Sequence, residues 1–158
     1  MSHEDLQPYD ELKGWLPVFS CTVLGEPVPN QRVRHGKGRT YMPAKTRLAR
    51  KRITLQLADV NKSKTPIFPK GSPVGVKLRF VHTRPNRLMR RKDPSEEIFK
   101  PTRPDEDNLT KLIYDSITDA GIWHDDGQVC CKLVVDKYAA KEPNQPYTTI
   151  ILYRRKDT

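Results

Sequence analysis

Apolar and polar side chains alternate over residues 18–24, with Phe19, Cys21 and Val23 on one side and Ser20 and Thr22 on the other. A period of two predicts a strand with one buried face. The run Gly25-Glu26-Pro27-Val28-Pro29-Asn30 then breaks it. The same alternation returns over 74–81, where Val74, Val76, Leu78 and Phe80 are spaced by Gly75, Lys77, Arg79 and Val81. Residues 129–138 are mostly apolar and predict a strand central in the sheet, and residues 147–154 predict another. Two stretches carry a helical period instead. Ala49, Ile53, Leu57 and Val60 share one face of a helix predicted over 45–60, with Pro43 suited to its start and Arg47, Arg50 and Lys51 in solvent. Leu109, Leu112, Ile113, Ile117 and Ala120 form the clearest apolar face in the chain, over 104–121, and Gly121 suits the position just past a helix end. Residues 35–39 read as a loop tip and 40–42 as a short strand. Strand, helix, strand, helix, strand, strand predicts the α/β class: a single domain with a mixed β-sheet of about four to five strands packed with two main helices.

A chain of 158 residues holds one such domain. Residues 1–14 have no period and read as a loosely ordered extension, which leaves 15–158 as the domain. Residues 84–103 are rich in Arg, Lys and Pro without periodicity, and predict a long, mobile basic loop. No apolar run is long enough to span a bilayer, and the acidic, polar start is unlike a signal peptide. Cys21, Cys130 and Cys131 are odd in number and lack metal-site spacing, which suits small core residues in a reducing, cytosolic compartment.

Charge narrows the partner class. Twenty-nine Lys and Arg against nineteen Asp and Glu give a formal charge of +10. Such a surface favours polyanions, because each cation placed at a phosphate releases condensed counterions. Nucleic acid leads; a membrane surface is disfavoured, since no basic amphipathic helix with large apolar residues is present. Residues 31–52 hold nine Lys or Arg and no acid. Arg32, Arg34, Lys37 and Arg39 are candidate phosphate contacts there, joined from the later loop by Arg84, Arg87, Arg90, Arg91 and Arg103. For each of them a plain solvated surface is the competing reading.

Between residues 105 and 126 the pattern inverts. Asp105, Glu106, Asp107, Asp115, Asp119, Asp125 and Asp126 face a single base, Lys111, for a local net of −6. A nuclease supplies a reason: basic flanks hold phosphates, while clustered carboxylates hold divalent cations at the scissile one. Asp105 and Asp107 can share a cation only where the chain is extended or turning, because residues two apart diverge on a helix. Asp107 and Lys111, four apart, share a helical face, with Asp115 one turn further on. Plainer roles compete. Asp105 or Asp107 caps a helix, Asp125-Asp126-Gly127 is a turn, Asp115 and Asp119 solvate a face, and Lys111 is a surface ion-pair partner.

Residues 104–129, PDEDNLTKLIYDSITDAGIWHDDGQV, resemble the signature of RusA-type crossover junction endodeoxyribonucleases, Asp-x-Asp-Asn-Leu-x-Lys, a short helix, then Asp-Asp-x-x-Val. Asp105, Asp107, Asn108, Leu109, Lys111, Asp115, Asp125, Asp126, Gln128 and Val129 match, and Pro27, Asn30, Arg34, Gly38-Arg39-Thr40 and Tyr41 give a weaker echo. The resemblance implies metal-binding carboxylates at Asp105, Asp107 and Asp126, with Asp125 an open further ligand and Lys111 essential beside them. It implies Mg²⁺ as cofactor with Mn²⁺ as a substitute, 5′-phosphate products, a cytoplasmic protein of bacterial or phage origin, and a homodimer acting on four-way DNA junctions in recombination and repair. Glu106 departs from the apolar residue common at its position, and residues 86–103 and the N-terminal extension lie outside the resemblance. Two other functions stay open on sequence: a nuclease for flaps or other branched DNA, and a basic DNA-binding module whose acids only cap and turn.

Overall fold

The alternating segment at the start of the chain becomes β1 (Trp15–Leu24), whose Phe19, Cys21 and Val23 enter the core. In the computed structural model, which describes residues 14–141 and 144–157, it is followed by a hairpin of β2 (Arg34–Gly36) and β3 (Arg39–Tyr41), then α1 (Ala44–Val60). β4 (Val74–Thr83), the two-residue β5 (Ile98–Phe99), α2 (Glu106–Asp119), β6 (Val129–Ala140) and β7 (Tyr147–Arg155) complete the order. The N-terminal extension lies outside the described residues, apart from Gly14.

Five strands form one sheet in the order β1-β7-β4-β6-β5, and β2–β3 stand apart from it. β4 and β6 run parallel and the other pairs antiparallel, so the sheet is mixed as the pattern implied. A parallel pair cannot be joined by a tight turn, and α2 lies in the crossover between them. Val74, Val76, Leu78 and Phe80 of β4 meet Ile150 and Leu152 of β7 in the core. Ala49, Ile53 and Leu57 of α1 and Leu109, Leu112, Ile113 and Ile117 of α2 belong to the same cluster.

Several expectations change in three dimensions. The strand at 129–140 is not central: β5 pairs only with Tyr138 and Ala139, so most of its outer side lies at the sheet edge. The central place goes to β4, held between β7 and β6. Val60 is 47% exposed, because α1 turns its buried stripe through Thr46, Ala49, Ile53 and Leu57. Arg50 is not a free surface cation but donates to Asp119 on α2 at 2.5 and 2.8 Å, tying the helices together. Of the cysteines only Cys21 is buried; Cys130 is exposed on the edge strand.

The basic loop at 84–103 is tied down. Arg84 is buried at 1% exposure, and its guanidinium donates to the carbonyls of Leu88, Pro94 and Glu96. Lys141 Nζ donates to Arg90 and Asp93 carbonyls, and Glu97 accepts from Arg79 and Tyr147. Arg84 therefore drops out of the phosphate contacts: it has no surface to offer them. Replacing it with Met keeps the stem but leaves those carbonyls without donors. Arg84→Met should lower stability by about 2 kcal/mol, the scale of hydrogen bonds to a charged group, and speed tryptic cleavage at Arg87, Arg90 or Arg91. Urea denaturation and limited proteolysis read both effects, and unchanged values in both would remove Arg84 from this role.

Candidate active site

Asp105 stands at the N-cap of α2 in an extended conformation, φ −70° and ψ 142°, and the helix proper begins at Glu106. The spacing requirement is met: one acid sits before the helix and Asp107 in its first turn. Three anions near the N-terminus also suit the helix dipole. Yet the Asp105 side chain makes no cap hydrogen bond. Neither the Asp105 nor the Asp107 carboxylate has a partner among the described residues. Both line one cavity of about 570 Å³ with Asn30, Gln31, Arg32, Val33, Arg34 and Asn108. The Asn30 amide donates to the Asn108 carbonyl at 2.9 Å, so the segment after β1 is fastened to the first turn of α2.

The approach to Asp105 is held from β6. Lys137 Nζ donates to the Thr102 and Pro104 carbonyls at 2.6 and 2.7 Å, on either side of the cis Arg103–Pro104 peptide. Glu106 points to structure rather than to the cavity: its carboxylate accepts from Lys132 at 2.8 Å and from Thr110 at 2.6 Å. Burial opposes its ionisation, but these bonds prevail and hold its pKa below the usual value.

Lys111 lies one turn along from Asp107. Its ammonium donates to Asp115 at 3.2 Å and to Asp126 at 3.3 Å, and those bonds, Asp115 foremost, raise its pKa. The helix-spaced partner is thus Asp115, and the bond to Asp126 joins α2 to the turn before β6. That turn separates the adjacent acids. Asp125 accepts from the Gly127 amide at 2.7 Å in a capping box completed by Gln128, and lines a different hollow with Lys70, Ser72 and His124. Asp126 instead reaches Lys111.

Gln128 is what orients the turn, and only its place in the matched motif marked it in the sequence. Its Oε1 accepts from the His124 and Asp125 amides at 2.7 and 3.3 Å, while Nε2 donates to the Pro69 and Ser72 carbonyls at 2.9 and 3.0 Å. Lys132 and Lys137 were likewise missed, since their partners are distant in sequence.

The basic hairpin sits beside the acids. Lys37 and Gly38 both have positive φ, 48° and 70°, as a two-residue turn between twisted strands requires. Arg32, Arg34, Lys37 and Arg39 are all exposed, and the first two share the cavity with Asp105 and Asp107. Arg103 is exposed and lines an adjoining hollow that also touches Asp105. Asp105 and Asp107 are thus brought together, whereas Asp126 stands beside Lys111. Among the described residues no cluster of three His, Cys, Asp or Glu side chains is close enough to hold a metal ion as it stands. The donor set still fits one: two uncommitted carboxylates offer hard oxygens to a solvent-open cavity, and Mg²⁺ keeps several waters.

The chain is similar to known proteins over most of its length. A model of the endodeoxyribonuclease RusA family matches residues 25–150. The crossover junction endodeoxyribonuclease RusA of Escherichia coli O139:H28 is 30% identical over 126 residues, covering 80% of this chain and 84% of its own length. The one from Shigella sonnei is 31% identical over 112 residues, 71% of this chain and 77% of its own. That of Enterobacteria phage 82 is 29% identical over 112 residues, 71% of this chain and 77% of its own.

The site leaves a mark on stability at high pH. Burial, then the charges of Glu106 and Asp126, push the Tyr114 hydroxyl up from 10.0 to about 12. Between those values the unfolded chain has lost a proton that the folded protein keeps, so stability falls as pH rises from 10 toward 12. In metal-free protein, Tyr114→Phe should make that decline shallower, measured by urea midpoints at several pH values. An identical decline in the variant would place this titration elsewhere.

Proposed function

We propose, from the premise that this chain belongs to the RusA endodeoxyribonuclease family, that it is a divalent-metal-dependent endonuclease that cuts four-way DNA junctions by paired, symmetric incisions in recombination and repair. The observation that carries this reading is the pair Asp105 and Asp107, which face one basic-walled cavity with carboxylates free of partners. A module that only bound DNA would gain from using Asp105 as a helix cap, and it does not.

Asp105 and Asp107 would hold the metal, with Asp126 as third ligand; Asp125 is spent on its turn. Mg²⁺ suits these oxygen donors, and Mn²⁺ would replace it. When bound, such an ion supplies a more acidic water and neutralises charge at the phosphate. Lys111 lies where it can stabilise charge gathering on the phosphate oxygens, and Asp115 and Asp126 keep its ammonium protonated. Arg32 and Arg34 would lead the strand across the cavity, Lys37 and Arg39 would grip the backbone further out, and Arg103 would act from the other side. The products would carry 5′-phosphate and 3′-hydroxyl ends.

A four-way junction has approximate two-fold symmetry, so a C₂ homodimer can set one site at each of two opposed strands. β1 favours such an assembly, since its outer edge is unpaired among the described residues and Leu16, Val18 and Leu24 are exposed along it. β7 is enclosed by its neighbours and is excluded as the pairing edge. Residues 15–158 form the nuclease unit in this reading. No described helix is long and apolar enough to cross a membrane, which is compatible with work on cytoplasmic DNA.

Purified protein given labelled four-way, flap and linear DNA, with and without Mg²⁺, tests the whole reading. Metal-dependent cutting of the four-way substrate is expected; a preference for flaps would shift the substrate, and no cutting of any DNA would end it. Asp105→Asn, Asp107→Asn and Asp126→Asn should each abolish cleavage while junction binding persists, since lost carboxylates weaken repulsion of DNA. A wild-type/Asp107→Asn heterodimer should nick one strand and leave its opposite uncut. Near-normal cutting by any single variant removes that residue from the site.

Neutralising Arg32, Arg34, Lys37 and Arg39 should flatten the salt dependence of junction binding by roughly 0.9 log unit per log salt for each lost phosphate contact. Fluorescence anisotropy across a salt series measures the slope, and an unchanged slope would leave the hairpin without a DNA role.

A further inference from the structure

A second hollow, of about 500 Å³, shares Asn30, Gln31, Asp105 and Asn108 with the cavity of the catalytic carboxylates. Its other wall is cationic. Lys45 comes from the first turn of α1, Lys100 from the residue after β5, and Arg103 from the approach to α2. None of the three has a carboxylate partner among the described residues. Of the two acids on its lining, Asp105 borders the catalytic cavity and Glu26 is already committed: it accepts from the Thr83 amide and hydroxyl at 3.0 and 2.8 Å and faces His82 Nδ1 at 3.1 Å.

One further observation indicates an anion, and a second indicates that the hollow takes an occupant. Lys100 is partly dehydrated, and its ammonium is pushed below its usual pKa by burial and then by Lys137, with Glu26 offsetting only part. Cations that share one wall repel one another, and an anion between them removes that repulsion. His82 also lines the hollow; its side chain is 3% exposed and its Nε2 is buried with no partner among the described residues. With Nδ1–H donated to ionised Glu26, the neutral ring leaves Nε2 as an acceptor, which calls for a donor such as a water carried in with a ligand rather than for the anion itself.

We propose that this hollow is a second phosphate subsite, which binds the backbone phosphate next to the scissile one on the cleaved strand, through Lys45, Lys100 and Arg103. The strand would then run from Arg32 and Arg34, past Asp105 and Asp107, into the hollow, so that cations on both sides hold it against the acids between. For the owner of the phosphate this inference rests on the nuclease reading; the anion site itself does not.

The test uses four-way junctions in which single phosphates beside the cut are replaced by uncharged methylphosphonates, bound to the full chain carrying Asp107→Asn to block cleavage. One flanking position should weaken binding by about tenfold, the scale of a charge-assisted contact. In the Lys45→Gln/Lys100→Gln background that penalty should vanish, and Lys100→Arg should restore it. Equal penalties in both backgrounds, with thermal melts showing both folded, would overturn the subsite. If the protein binds no DNA at all, the nuclease reading fails by itself. Protection of Lys100 from acetylation by inorganic phosphate then decides separately: protection keeps the anion site, and its absence removes it.

Discussion

The buried amide of Gln128 is the interaction on which the geometry of the acidic end depends. It binds two amides of the 124–125 turn and two carbonyls of the 69–72 loop, so the turn cannot rotate without losing four hydrogen bonds in a place where water does not replace them. With the turn fixed, neighbouring Asp125 and Asp126 must diverge, one to cap the turn and the other to meet Lys111. A hydrophobic residue at 128 would fill the space but leave those backbone groups unpaired. The same logic holds at the opposite end of the site, where Lys137 and Lys132 of β6 secure the carbonyl of Pro104 and the carboxylate of Glu106.

Electrostatics explains why an acidic island persists in so basic a protein. Arg50 binds Asp119 and approaches Asp115, Lys111 binds Asp115 and Asp126, and Lys132 binds Glu106. These pairs are partly exposed and each contributes little to stability, but together they account for most of the acids. Asp125 caps its turn, and the two then left over, Asp105 and Asp107, are the ones that face the cavity. Their lack of partners separates them from the neighbours that merely pair with bases.

Glu106 shows how one departure from a family pattern is absorbed. In place of an apolar residue it carries a charge, and β6 answers with Lys132 while Thr110 donates from the next turn of the helix. The loop at 84–103 is absorbed in a comparable way. A stretch with no periodicity is held by one buried arginine beneath it, and its only regular pairing, β5, shields the end of β6.

Strands, helices and the mixed α/β class were legible in the chain because burial imposes its period directly: alternation over 74–81, and the stripe from Leu109 to Ala120. The candidate carboxylates and Lys111 were legible for a different reason, since they lie within 22 residues of one another and local spacing carries them. Sheet order was not, and the apolar strand 129–138 was wrongly placed at the centre, because composition records burial but not which neighbours supply it. Nor did charge alone distinguish Arg84, buried beneath its loop, from Arg32 and Arg34 at the cavity, since all three are arginines in basic runs. Which of Asp125 and Asp126 faces Lys111, and that Lys45, Lys100 and Arg103 surround one hollow, follow from contacts between residues far apart in the chain. Only the packed tertiary structure brings such groups together, because side chains remote in sequence become neighbours only when the core and its hydrogen bonds have fixed the path between them.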